Sequence, residues 1–248
     1  VEGVNARVTQ PNGIPRQPST SPGGPLERPL EAVPLWGVAS AIAAPLLLVL
    51  GYLYAVSLTP GYDKVAQAVS DLGVVGGPAR WPWAFTLVFI GIAHIATAIG
   101  LRPADVIGRW LLGAGGFVMM VLAFVPNNVV GKTYMRHTLT SAIVFGLLAL
   151  WPAMSARNGR GVPWPLRRRV TIIVSIVVFV LIEITLWGLI LQTTTDGVRE
   201  FALYAWTSLW PLVVVLWVRL RPGTALPLVS PAKPSSAPSA PTAPASRH

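Results

Sequence analysis

No cysteine occurs in the 248 residues, which excludes disulfides, thiol nucleophiles and thiolate metal sites. Charge is scarce as well: 11% of residues are charged, whereas a soluble domain carries about 25% to cover its surface. Nine residues are acidic and three are histidines. No HExxH or paired-histidine motif is present, and His248 ends the chain, so no metal site and no other cofactor is implied. A P-loop and a GxGxxG fingerprint are both missing, which excludes a nucleotide-driven pump within this chain. Lysine is nearly absent, with three against sixteen arginines. That imbalance, together with abundant Ala, Gly and Pro, is the composition of a GC-rich bacterial genome.

What the chain has in quantity is apolar side chains, 53% of the total, with a mean hydropathy of +0.60. Its solvent is therefore mostly lipid. The net charge of +10 does not indicate nucleic acid as a partner. The arginines fall in short loops between apolar runs, where they set topology and meet anionic headgroups, and no basic stripe alternates with stacking aromatics.

The fold class expected is an all-α integral membrane protein, a bundle of six transmembrane helices with disordered tails. Residues 1–33 and 221–248 are rich in Pro, Gly, Ala and Ser and bury too little to offset their ordering entropy. Residues 1–33 lack the features of a cleaved signal peptide, so the first apolar run is expected to be a retained anchor. Between the tails, the apolar runs are about 34–58, 81–101, 108–126, 137–156, 170–191 and 201–218, each near the roughly 20 residues that cross a hydrocarbon core. Helices are required, because open strands leave backbone groups unpaired in lipid. Gly108, Gly113, Gly115 and Gly116 in the third run permit close helix contact; bulky residues at Gly113 or Gly116 are expected to disrupt packing.

The basic residues orient the bundle. Fourteen Lys and Arg fall on the side holding both tails and the connections around Arg102 and Arg167-Arg168-Arg169, against five on the other side: Lys64, Arg80, Lys132, Arg136 and Arg199. The richer side is expected to be cytoplasmic, with both termini there, in a bacterial inner membrane.

On the outer side, residues 59–80 contain Tyr62 and Ser70-Asp71-Leu72-Gly73. Phe124-Val125-Pro126-Asn127-Asn128 closes the third run, His137 opens the fourth, and Arg199-Glu200 precedes a tryptophan-rich sixth. In this order and spacing, over about 34–220, the chain resembles the bacterial six-helix family called domain of unknown function 998. That family tends to show a Ser-x-Leu-Gly motif, a proline-ended third helix, a following histidine, and an arginine before a Trp-rich last helix. Where the family often has an acidic residue after that proline, this chain has Asn127 and Asn128. The resemblance implies the six-helix topology and points to the outer face, but implies no activity.

Two polar residues lie inside apolar runs. Glu183 sits about 12 Å below the outer boundary at 1.5 Å per residue. A carboxylate there costs about 2.5–3.5 kcal/mol on insertion scales and by default faces the bundle interior. Its readings are a proton relay, a cation site or a general base, against a protonated hydrogen-bonder that joins helices. His94 lies about 20 Å deep by the same rise, which disfavours direct contact with Glu183; alone, it reads as a helix–helix hydrogen-bonder.

At the outer level, Arg136, Arg199, Asn127 and Asn128 are headgroup-binding candidates, the arginines for phosphate. Ser70, His137 and Asp71 are the candidates for a serine hydrolase. The plain alternative is that Ser70-Asp71 only turns the chain. The leading expectation is a non-enzymatic bundle that binds membrane lipid, a membrane protein complex or further copies of itself. A small proton-coupled transporter using Glu183 and an outward-facing lipid hydrolase using Ser70 and His137 are the alternatives.

Overall fold

The computed structural model describes residues 32–132, 134–158, 161–191 and 193–220; both expected disordered tails lie outside them, except for residues 32 and 33. Among the described residues there are six α-helices: α1 Leu35–Ser57, α2 Arg80–Gly100, α3 Val106–Leu122, α4 Met135–Met154, α5 Arg168–Leu191 and α6 Asp196–Leu220. Short 3-10 helices cover Val69–Gly73 and Trp164–Leu166. No strand is present among the described residues, only two isolated bridges. Five of the six α-helices are long and apolar enough to cross a membrane; α3 is shorter. Turns from Val121 to Phe124 and from Leu122 to Val125 carry α3's backbone bonding on past its end.

Each helix packs beside its sequence neighbour, and α1 meets α6, so the six close into a ring in chain order. The ring is filled where α2, α4 and α6 converge. There the Tyr204 ring stands edge-on to Trp83 at 5.9 Å and to Phe145 at 5.0 Å. Outward, the helices show Leu46, Leu53, Phe89, Phe117, Ile143 and Ile176. Exposed apolar surface spread over so many helices is not tolerated by a soluble monomer. The molecule is a membrane protein.

Glycine sets the tightest crossing. A β-carbon on Gly91 of α2 would run into the carbonyl oxygen of Gly116 on α3, and one on Gly116 would lie 2.6 Å from the Gly91 carbonyl oxygen. The two backbones are in direct contact, the arrangement small residues permit in lipid. At Gly113 a β-carbon meets only Ala98 Cβ at 3.6 Å, an ordinary contact. Gly113 faces a looser part of the same interface, and a methyl group fits.

At the arginine-rich end, two arginines close the end of α2 and the turn after it. Arg109 Nε donates to the Ala98 carbonyl at 2.8 Å, and Arg157 donates to the Pro103 and Ala104 carbonyls at 3.0 and 3.2 Å. These carbonyls have no helical N–H partner, and a guanidinium also complements the negative end of the helix dipole.

The last helix begins five residues before its apolar run. Asp196 lies in its first turn, where a carboxylate complements the helix N-terminus, and accepts a hydrogen bond from the Thr193 hydroxyl at 3.0 Å. Arg199 and Glu200, read from the sequence as connection, are thereby fixed on a helix. Gly197 packs against the backbone of the α1–α2 connection, its N–H donating to the Val65 carbonyl at 3.0 Å.

Candidate functional site

At the arginine-poor end, the α1–α2 connection folds back onto the bundle. Asp63 accepts the N–H groups of Val65 and Ala66, which holds its carboxyl below the usual carboxylate range. The Tyr62 hydroxyl donates to the Gln67 and Ala68 carbonyls at 3.0 and 3.1 Å. Burial, with Tyr52 and Glu200 nearby, pushes the Tyr62 phenol up. Val69 and Leu72, both fully buried, anchor the 3-10 helix that presents Ser70 and Asp71 on its polar side.

Ser70 and Asp71 have different partners. The Ser70 N–H and hydroxyl both donate to Glu200 Oε2, at 3.2 and 3.3 Å, and so tie the connection to α6. Asp71 Oδ1 accepts the Gly131 N–H at 3.0 Å and ties it to the α3–α4 connection. Gly131 has φ +69°, a conformation glycine adopts without strain. Burial raises the Asp71 pKa, and the Gly131 N–H partly offsets the rise.

The α3–α4 connection is held in the same way. Asn127 is buried; its amide oxygen accepts the Tyr134 N–H at 3.2 Å and its carbonyl accepts the Val75 N–H at 3.1 Å. His137 Nδ1 lies 2.6 Å from the Val125 carbonyl oxygen. A carbonyl only accepts, so Nδ1 carries the hydrogen, which leaves Nε2 as the acceptor of the neutral ring.

Around these residues is a cavity of about 140 Å³. Its polar end is formed by Ser70, His137, Thr138, Asp196 and Glu200, and its apolar wall by Phe145, Ile182, Leu186 and Leu203, with Ser141, Ala142 and Thr185 between. It widens toward the outside of the ring between α4 and α5, where Ala142 and Leu186 are exposed. Behind Ser70 and His137, a second and much smaller cleft reaches Arg80, Trp83 and Tyr204.

Of the sequence candidates, Ser70 and His137 share this cavity. The carboxylate on Ser70 is Glu200 and not Asp71, which is engaged with Gly131. Asn127 is buried, with its amide oxygen on the Tyr134 N–H and its carbonyl on the Val75 N–H. Asn128 and Arg136 are exposed at this end of the bundle. Arg199 is committed internally: it bonds Thr193 and Thr195, pairs with Asp196 at 3.6 Å, and donates to the Ile184 carbonyl at 3.3 Å.

Glu183 corrects the sequence reading. It is exposed on the outward face of α5, because the buried face of that helix is Thr171, Val174, Ser175 and Val178, and Glu183 projects from the opposite side. His94 is completely buried, with neither ring nitrogen hydrogen-bonded. Its helix, α2, lies across the ring from α5, so the structure does not bring His94 and Glu183 together. Among the described residues, no group of three potential metal ligands is assembled.

The family model described as protein of unknown function (DUF998) matches residues 42–217. This chain belongs to DUF998. The matched span includes all of the cavity and its three bracing connections, so in this DUF998 member the site is part of the family domain. No curated protein and no solved structure matches the chain.

Sequence reasoning named Glu200 only as one polar residue of an outer connection and missed its pairing with Ser70. The hydroxyls of Thr138, Ser141 and Thr185 were missed altogether. The available signal was a carboxylate at the start of a transmembrane helix, next to two helices that carry hydroxyl groups near the same end.

Proposed function

We propose that this DUF998 protein is a six-span protein of the bacterial cytoplasmic membrane, with both termini in the cytoplasm, that binds a membrane lipid by its polar end at the outer face. The carrying observation is the shape and lining of the cavity: polar groups at its floor, an apolar wall along Phe145 and Leu203, and an opening at Ala142 and Leu186 through which a chain can lie along the bundle. A mostly apolar lining with a few placed polar groups is usual in small-molecule sites, and about 140 Å³ takes the polar end of a lipid with its chain left along the bundle.

The polar floor favours one headgroup chemistry. Glu200, Asp196 and the His137 Nε2 are acceptors, and Arg199 is occupied elsewhere. A head that donates hydrogen bonds, such as an ammonium or a cluster of hydroxyls, suits this floor better than a bare phosphate. Arg136, exposed at the same end, is an available cation for a phosphate attached to that head.

A lipid carrying a photoactivatable acyl chain tests the reading in membranes. Crosslinks on peptides that contain Phe145, Leu186 or Leu203 are expected. Crosslinks spread evenly over the bundle surface would remove the cavity from the account.

A second reading has one observation in its favour. Ser70 and His137, the residue types of a serine hydrolase's nucleophile and base, line one cavity. The Ser70 hydroxyl, however, is directed to Glu200, and no bond joins it to His137. Labelling by a serine-directed probe, lost in Ser70→Ala, would promote this reading over simple binding; a probe that labels nothing would end it. A proton carrier built on Glu183 and His94 has no comparable support, since the two lie on opposite sides of the ring.

A further inference from the structure

Ser70 and His137 stand between two spaces of opposite character. On one side is the cavity, whose polar groups Glu200, Asp196 and His137 Nε2 accept hydrogen bonds. On the other is the cleft of about 10 Å³ that Arg80, Trp83, Pro126 and Tyr204 line together with Ser70 and His137. Of these, Trp83 and Tyr204 are buried, and Arg80 and Pro126 are half-buried.

The cleft is furnished with donors that no described residue uses. Tyr204 is 2% exposed, and its ring is fixed edge-on by Trp83 and Phe145. Its hydroxyl bonds no described residue. Unlike the ring nitrogens of His94, that hydroxyl is not sealed in protein, so it meets the open space of the cleft. A hydroxyl held in a buried place without a partner is costly. Arg80 likewise has no ion pair or hydrogen bond to a described residue. Its guanidinium lies 5.2 Å from the centre of the Trp81 ring, a contact that leaves the N–H donors of the fork without an acceptor.

We infer that the cleft is a carboxylate subsite, held by Arg80 and Tyr204, and that the ligand of the adjoining cavity carries both an ammonium and a carboxylate on its head. This deepens the proposed lipid site and rests on it. Polarity argues for the pair of groups. A head seated across Ser70 and His137 meets acceptors on the cavity side and donors on the cleft side, which suits a cation on the first and an anion on the second. Size selects the anion. The cleft has room for about one water-sized group. A carboxylate oxygen fits that space, and a tetrahedral phosphate does not. An amino-acid head, with ammonium and carboxylate on one carbon, is the simplest that offers both.

Phosphatidylserine carries such a head. Phosphatidylethanolamine lacks only the carboxylate, and phosphatidylglycerol has the negative charge without the ammonium. Each lipid is mixed at equal mole fraction into detergent micelles with the full-length protein, and bound lipid is counted by native mass spectrometry. Phosphatidylserine is expected to bind about tenfold more tightly than the other two, the worth of a hydrogen bond to a charged group. Arg80→Gln is expected to bring it down to the level of phosphatidylethanolamine. Tyr204→Phe, which keeps the ring, is expected to weaken it about two- to tenfold. Phosphatidylethanolamine binding stays as in the wild type in both variants, and the ratio of the two lipids does not depend on the fraction folded. Equal binding of these two lipids by the wild type, or a preference that survives in both variants, would overturn the subsite and leave a lipid in the cavity. Phosphatidylglycerol bound as tightly as phosphatidylserine would reduce the preference to net charge and overturn it too. Water-soluble glycerophosphoserine separates the sources: competition as strong as the full lipid's would keep the carboxylate subsite and remove the acyl chain. Binding of none of these compounds would end both the subsite and the lipid reading.

Discussion

At Asp71 a single carboxyl is half-buried and braced by one backbone N–H. Its folded-state pKa is raised above the ordinary carboxylate value of about 3.9. A raised carboxyl pKa means the folded state holds its proton more tightly than the unfolded chain, so this residue's contribution to stability falls as pH rises from below the unfolded value through the folded one. Asp71→Asn keeps an oxygen for the Gly131 N–H and removes the titration. The variant is therefore expected to show a flatter dependence of thermal stability on pH than the wild type between pH 4 and 7 in detergent; equal slopes would contradict the assignment. Glycine gives a second prediction at this scale. Gly116→Ala forces the α2 and α3 backbones apart and is expected to cost about 1–3 kcal/mol of stability by overpacking. Gly113→Ala, with its new methyl at ordinary contact distance, is expected to be nearly neutral. Thermal unfolding of the two variants side by side checks both.

At the scale of elements, the three connections at the arginine-poor end act as one brace. Asn127 holds Tyr134 and Val75, His137 holds Val125, and Ser70 is held by Glu200. Asn127→Ala leaves the half-buried Tyr134 N–H without its acceptor, a loss of about 0.5–1.5 kcal/mol. Faster hydrogen exchange is expected in the α3–α4 connection, with α1 unchanged; exchange altered equally everywhere would mean the brace is not local. These elements also show what the sequence discloses. Apolar runs near 20 residues long disclosed the helices, because crossing lipid demands that length. Ser70 and His137 were legible as neighbours, since both sit beside a helix end at one membrane level. The start of α6 was not, because Asp196, Arg199 and Glu200 lower the local hydropathy, although Thr193, Thr195 and Ser70 pair with them. The direction of Glu183 was not legible either. Helix α5 is apolar on nearly every side, so its sequence does not reveal which face is buried, and the rule that an acid faces the bundle chose the wrong one. Arg109 and Arg157 read as topology signals, while in the fold they also complete the backbone bonding at and just beyond the end of α2.

For the whole molecule, the ring of six helices places one cavity with a polar floor at the arginine-poor end, while Arg109 and Arg157 bond backbone carbonyls at the arginine-rich end. The account rests on a lipid occupying that cavity through the opening between α4 and α5. Native mass spectrometry of the intact protein released from nanodiscs measures this most directly, comparing wild type with Ala142→Trp, which fills the opening, and with Phe117→Trp on the exposed face of α3. The account predicts one retained lipid per chain in the wild type and in Phe117→Trp, and its loss in Ala142→Trp. Equal retention in all three, or no retained lipid in the wild type, would contradict it.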